Sequence, residues 1–141
     1  MERSLVLIKP DAMKKGFGGA IIGRLQEKGL KLLALRMLQM DRELAGKHYA
    51  VHADKPFYGE LIDFITSTPI IAAVFEADGA VSKIRDIMGG TDPAKAKAGT
   101  IRRDFGQDIQ RNATHASDSP ETAEKEIRLF FRDDEIYAIE S

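Results

Sequence analysis

The chain has 141 residues, of which 43% are hydrophobic and 30% charged, and its net charge is -1. That balance excludes a disordered chain and suits one compact domain over residues 1–141, with little electrostatic appetite for nucleic acid or an acidic membrane. With no cysteine there is no disulfide framework or thiolate zinc site, and with no apolar run near the ~20 residues of a membrane helix the expected compartment is the cytoplasm.

Leu5-Val6-Leu7-Ile8 is a short continuous apolar run, the pattern of a strand buried on both faces. Lys9-Pro10-Asp11 ends it and sets Lys9 at the strand's mouth, where ligands of open α/β sheets gather; a solvated lysine fits as well. Gly16-Phe17-Gly18-Gly19 opens a helix from Ala20 to Lys28, stopped by Gly29. It lacks the third glycine of a dinucleotide fingerprint, and the sequence contains no phosphate-loop motif. Leu30–Met40 is ambiguous. Its leucines favour a helix, while Gly29 and Asp41 delimit a separate element, which is read as a long strand because the alternation of elements needs one.

Asp41 then caps a helix through about Ala53. His48 and His52 stand four residues apart on it, a spacing that suits a metal, but without the H-E-x-x-H glutamate or a third ligand nearby. Tyr49 lies between them. Lys55-Pro56 begins a further helix with Phe57, Leu61, Phe64 and Ile65 on one face; Phe57 is either core or the edge of a pocket. Ile70–Phe75 is a second buried strand, and Asp78 caps a helix from about Gly79 to Met88 that carries Arg85 beside its apolar stripe. Gly89 to about Arg111 is the longest irregular stretch. It is rich in donors and cations, with Thr91, Arg102 and Asn112 along it, which suits a polyanionic ligand.

That stretch feeds into Asn112-Ala113-Thr114-His115-Ala116-Ser117-Asp118-Ser119-Pro120. Ser119 is a good N-cap and Pro120 a good first helical residue, so His115 lies just ahead of a helix. On Pro120–Phe131, Glu126 falls within the apolar arc formed by Ala123, Ile127, Phe130 and Phe131. A carboxylate on a buried face is costly unless something uses it, and Glu126 is placed to aim back at His115 and Ser117. On spacing alone, two readings of His115 fit: a polar turn residue or a catalytic histidine. Glu135–Ile139 is a terminal strand or an extended tail. The element order approximates β-α-β-β-α-β, an α/β class, ferredoxin-like antiparallel sheet covered by helices.

Three blocks, Leu7-Ile8-Lys9-Pro10-Asp11, Gly99-Thr100-Ile101-Arg102 with Asp104-Phe105, and Asn112 through Ser119, resemble the signature blocks of nucleoside diphosphate kinases. Gly89, Thr91-Asp92-Pro93 and Lys55-Pro56-Phe57 match in the same order. The resemblance implies ping-pong transfer of the γ-phosphate of a nucleoside triphosphate such as ATP, through a phosphohistidine at His115, to a nucleoside diphosphate. It implies that Lys9, Arg85 and Arg102 hold phosphates, that Thr91 donates to one, and that Tyr49 stands beside the reacting group. Asn112 with Lys9 would bind the ribose, and Phe57, Leu61 and Ile109 the base. Glu126 and Ser117 would orient the imidazole. Mg²⁺ would arrive with the nucleotide, Asp118 touching it at most through water. The implied assembly is a homo-oligomer, tetramer or hexamer built from dimers; the net charge of -1 argues against a nucleic-acid partner, and the lack of a long apolar run against a membrane. Two residues depart from the pattern. Ala116 replaces a common glycine, which a negative φ would tolerate, and Arg103 either adds positive field at the pocket or faces water.

Overall fold

A computed structural model describes residues 1–140. Four strands make one antiparallel sheet in the order β2-β3-β1-β4: β1 (Glu2–Ile8), β2 (Lys31–Leu38), β3 (Ile70–Ala77) and β4 (Thr114–Ala116). This is the expected ferredoxin-like topology.

Side chains alternate across a strand, and β1 is apolar on both sides of the sheet. Val6 and Ile8 join Phe75 and Ala73 beneath α2 (Gly18–Glu27) and α5 (Ala80–Met88), with Ile21, Leu25, Ile84 and Met88 completing that core. Leu5 and Leu7 join Val74 and Ala72 on the other face, against α3 (Arg42–His48), α4 (Tyr58–Ile65) and α7 (Pro120–Phe130).

Several local expectations shift. Pro10–Lys14 forms a short helix, α1, in keeping with proline's fitness for a first helical turn. The strand expected over Leu30–Met40 is shorter, and its pairing with β3 slips between Leu32 and Ala34. The helix expected to reach Ala53 ends at His48, and a 3₁₀ turn, Ala50–His52, follows. Lys55-Pro56-Phe57 precedes α4 as a turn rather than opening it. Asp78 does not cap α5. The cap is Gly79 at φ 64, and the Glu2 carboxylate accepts the Val81 N–H at 2.8 Å. Within the long stretch from Gly89, Thr100 caps a short helix, α6 (Ile101–Phe105). The tail is extended after a 3₁₀ turn at Asp133–Glu135 and does not form a strand; the Tyr137 N–H reaches the Leu33 carbonyl at 3.0 Å.

Candidate functional site

The site hangs on one edge of β1. In an antiparallel pair, residues directly opposite share a face. His115 pairs with Leu7, so its ring emerges on the side covered by α7, and Lys9, two residues beyond Leu7, lies on that side too. The pairing runs one step past the strand, where the Lys9 N–H donates to the Ala113 carbonyl at 2.9 Å.

Between Asn112 and His115 the backbone makes a tight reversal. Ala113 sits at φ 74 while the Thr114 N–H bonds to the Asn112 carbonyl at 2.9 Å, the geometry of a strained γ-turn. A buried positive-φ alanine persists only where its surroundings impose it. Here the Asp11 carboxylate accepts the Ala113 N–H at 2.9 Å. Ala116, by contrast, is an ordinary residue of β4, so its methyl is accommodated.

Glu126 reaches the histidine as its place in the apolar arc of α7 implied. Both carboxylate oxygens lie 3.0 Å from His115 Nε2, and the Ser117 hydroxyl donates to Oε1 at 2.6 Å. Burial works against the charged form of Glu126. The hydrogen bonds from His115 and Ser117, with the attraction of His115, nevertheless bring its pKa below the usual carboxylate value. A carboxylate facing Nε2 is paired by the tautomer that holds the ring proton there, and in that tautomer Nδ1 has the lone pair. The His115 side chain is 26% exposed, so the ring is reachable from outside.

Cations gather on the open side. Lys9 Nζ donates to the Gln110 carbonyl at 2.8 Å and to Asn112 Oδ1 at 2.9 Å. Burial lowers its pKa to about 8, against the pull of Asp11 and with the push of Arg102. The Asn112 amide donates in turn to the Thr91 carbonyl at 3.0 Å. Arg102 donates to the Gly89 and Thr114 carbonyls at 3.0 and 3.1 Å, and burial and the neighbouring Arg85 lower its pKa to about 10. A cavity of about 610 Å³ is lined by Arg85, Thr91, Arg102, Lys95 and Lys97 among others. Gly89 has to be glycine. Its φ is 85, and a Cβ there would lie 2.5 Å from Thr100 Oγ1.

Tyr49 packs edge-on to His48, and burial with the Glu126 charge raises its pKa to about 12. Phe57 is 45% exposed at the mouth of α4, and its carbonyl accepts the Leu61 N–H. Ile109, 60% exposed, stands on a separate segment. Asp118 is exposed, and Arg103 turns to the surface, donating to the Ala94 carbonyl at 2.8 Å. The spacing that suggested a shared metal for His48 and His52 does not bring them together. His48 packs against the His115 ring at 4.6 Å, whereas His52 lies 5.7 Å from Phe57.

Two residues gain roles that sequence reasoning did not give them. Asp11 lies within a recognised block, but its partner is 102 residues away. His48 was visible only as half of a metal pair. The helix that carries it ends at that residue, and its ring turns inward.

The family model described as "Nucleoside diphosphate kinase" matches residues 2–136. A nucleoside diphosphate kinase of Archaeoglobus fulgidus is 54% identical over 136 residues, covering 96% of this chain and 90% of its own length. One from Corynebacterium diphtheriae is 56% identical over 131 residues, covering 92% and 96%. Among solved structures, a nucleoside diphosphate kinase of Halobacterium salinarum in complex with CDP superposes with a TM-score of 0.96 at 44% identity, over 99% of this chain and 93% of that one. The Aquifex aeolicus enzyme superposes with a TM-score of 0.93 at 44% identity, over 96% and 98%. The chain thus belongs to the nucleoside diphosphate kinase family, enzymes that transfer phosphate between nucleotides.

Proposed function

We propose that His115 Nδ1 carries the phosphoryl group of this kinase through two half-reactions. The observation that supports this most is the grip of Glu126 on Nε2, 3.0 Å from each carboxylate oxygen. The lone pair of Nδ1 attacks the γ-phosphorus of a nucleoside triphosphate. The bond from phosphorus to the bridging oxygen breaks, and the diphosphate leaves with those electrons. The ring gains positive charge as the N–P bond forms, and Glu126 faces the N–H that shares it. A second diphosphate then reverses the step.

The barrier lies mainly in alignment and in charge on the transferring group. Lys9, Arg85 and Arg102 supply the charge, and Thr91 adds a donor. Lys9 and Asn112, already joined, are suited to the ribose hydroxyls. Phe57 with Leu61 offers one side of a slot for the base, and Ile109 is assigned the other. Apolar stacking without contacts to base edges gives broad base tolerance. The Halobacterium relative was solved with CDP, and we assign a nucleotide to the site around His115 here.

Mg²⁺ fits this site as a companion of the nucleotide rather than as a resident. Glu126 brings one carboxylate beside two imidazoles, too few oxygens for Mg²⁺, while Asp11 is committed to Ala113 and Asp118 is exposed, which leaves it at most a contact through water. The ion neutralises phosphate charge when bound.

We further assign a homo-oligomer. Leu35 and Met37, 50% and 65% exposed, lie on β2, which is the edge of the sheet. Sedimentation of the wild type against Met37→Lys tests this, since a monomeric wild type removes the assignment. No helix among the described residues is long and apolar enough to cross a membrane, and we place the enzyme with its nucleotides in the cytoplasm.

Incubation with γ-labelled ATP should label the protein, with a bond stable to base and labile to acid. His115→Ala should not label and should lose exchange between ATP and other diphosphates while still folding. Equal labelling of the variant would refute the assignment.

A further inference from the structure

His48 is the one member of the site's inner layer that the transfer leaves unused. Its side chain is 1% exposed, and neither ring nitrogen has a hydrogen-bond partner. A neutral imidazole buried this way leaves one N–H and one lone pair unmet, which destabilises the fold unless something uses them. Its surroundings are specific. The ring stands edge-on to His115 at 4.6 Å and 85°, and Nδ1 lies 3.8 Å from Glu126 Oε2. One nitrogen from each imidazole and a Glu126 oxygen all lie within 4.8 Å of one another.

This donor set does not suit Mg²⁺, which prefers oxygen ligands in an octahedron. Two imidazoles and a carboxylate with an open fourth position make a set typical of zinc, with ligand bonds of about 2.0–2.2 Å. Donors around such an ion stand somewhat over 3 Å apart, so the observed spacing closes with a small rotation of the two rings.

We propose that His48, His115 and Glu126 form a binding site for a zinc-like divalent ion, and that its occupancy switches the kinase off. The ion takes His115 Nε2, and the proton there passes to Nδ1. Ser117 keeps its bond to Oε1 while Oε2 turns to the metal. With Nδ1 protonated, the ring has no lone pair for phosphorus. The phosphate-binding cations are untouched, so the ion lowers kcat and leaves the KM for nucleotide nearly unchanged. The inhibitory half rests on the transfer reaction proposed above; the binding half does not.

The test begins without nucleotide. Titration with Co²⁺, followed by visible absorption, and with Zn²⁺, by calorimetry, should show one ion per chain at micromolar concentration. The cobalt spectrum should be that of a four-coordinate site. His48→Phe keeps an aromatic ring in the slot beside Tyr49 and Phe130. It should weaken binding at least about tenfold, as loss of even a supporting contact does at metal sites. Glu126→Gln should also weaken it, and His52→Gln should not. With saturating Mg-ATP, Zn²⁺ should then lower kcat of the wild type, a chelator should restore it, and His48→Phe should resist. Wild-type affinity in both weakened variants, or no binding by the wild type, overturns the site. Binding without loss of kcat, or a loss equal in His48→Phe, overturns the switch.

Discussion

Replacing Glu126 by Gln isolates the charge that faces the reacting histidine. The carboxylate lies 3.0 Å from Nε2, with its side chain 11% exposed. A full positive charge on the ring would interact with it by about 5 kcal/mol at an effective dielectric near 20, an upper limit for the pair. Only part of that charge exists when the N–P bond is half made, so the differential is about 2–3 kcal/mol. This corresponds to a roughly 30- to 150-fold loss of kcat.

The fold should tolerate the change. The amide oxygen still accepts from Ser117 and His115 where Oε1 does now, and the amide nitrogen turns toward His48 Nδ1, 3.8 Å from Oε2 and lacking a partner. Glu126 stands against Nε2, the ring nitrogen not assigned to the phosphoryl group, so KM should hold within about twofold. Because the ring cation forms on phosphorylation and is given up on discharge, the single-turnover rate of phosphorylation by ATP should fall, while discharge to a diphosphate should not slow. A Glu126→Gln enzyme with near-normal kcat, or one whose loss lies in KM, would refute the role given to the carboxylate.

The remaining tests address other parts of the site. Lys9 has a folded pKa of about 8 against the ordinary lysine value of 10.5, so the unfolded chain holds this proton more tightly. Stability should rise as pH climbs from about 8 to 10.5 as the buried charge is relieved, whereas KM for nucleotide should worsen over the same climb; Lys9→Met should lack both trends in denaturant melts and kinetics. Asp11→Ala leaves the Ala113 N–H buried without a partner and should lose about 1–3 kcal/mol in urea unfolding. Its kcat should fall with it, since the turn that presents His115 loosens. Gly89→Ala forces a methyl toward Thr100, the cap of the helix carrying Arg102, and should cost about 1–3 kcal/mol while raising KM; unchanged melting would refute the contact.

How much of this was legible in the sequence depended on whether the determining contact was local. The Leu5–Ile8 strand announced itself because burial on both faces leaves an unbroken apolar run. The 31–38 strand was legible only through the alternation of elements, since leucine-rich runs favour helix, and its pairing with β3 agrees with that reading. The α6 helix was hidden in a stretch whose composition reads as loop, although Thr100 takes the Arg103 N–H there, at 3.4 Å. In the site, Glu126 could be placed because helix periodicity alone carries it to the right face. The inward turn of His48 depends on where α3 stops, and the hold of Asp11 on Ala113 spans the whole fold.

That hold also bears on how the site keeps its register. A strand with one polar face is fixed by alternation, because a slip of one residue exposes its apolar side. β1 has no such safeguard, since Leu5, Val6, Leu7 and Ile8 are all buried. β4 has only three residues to pair with it. Polar groups at the two ends supply what alternation cannot. At one end the Lys9 N–H meets the Ala113 carbonyl, and Asp11 takes the Ala113 N–H. At the other, the Ser117 N–H meets the Leu5 carbonyl at 3.2 Å, and its hydroxyl lies 3.4 Å from the Leu5 N–H. A slip would break both ends at once and turn His115 from α7 toward α5, away from Glu126. Ser117 thus serves the chemistry and the pairing together. For that reason Ser117→Ala should lose more activity than its single bond to Glu126 accounts for, and Ser117→Thr, which restores the hydroxyl, should recover part of it.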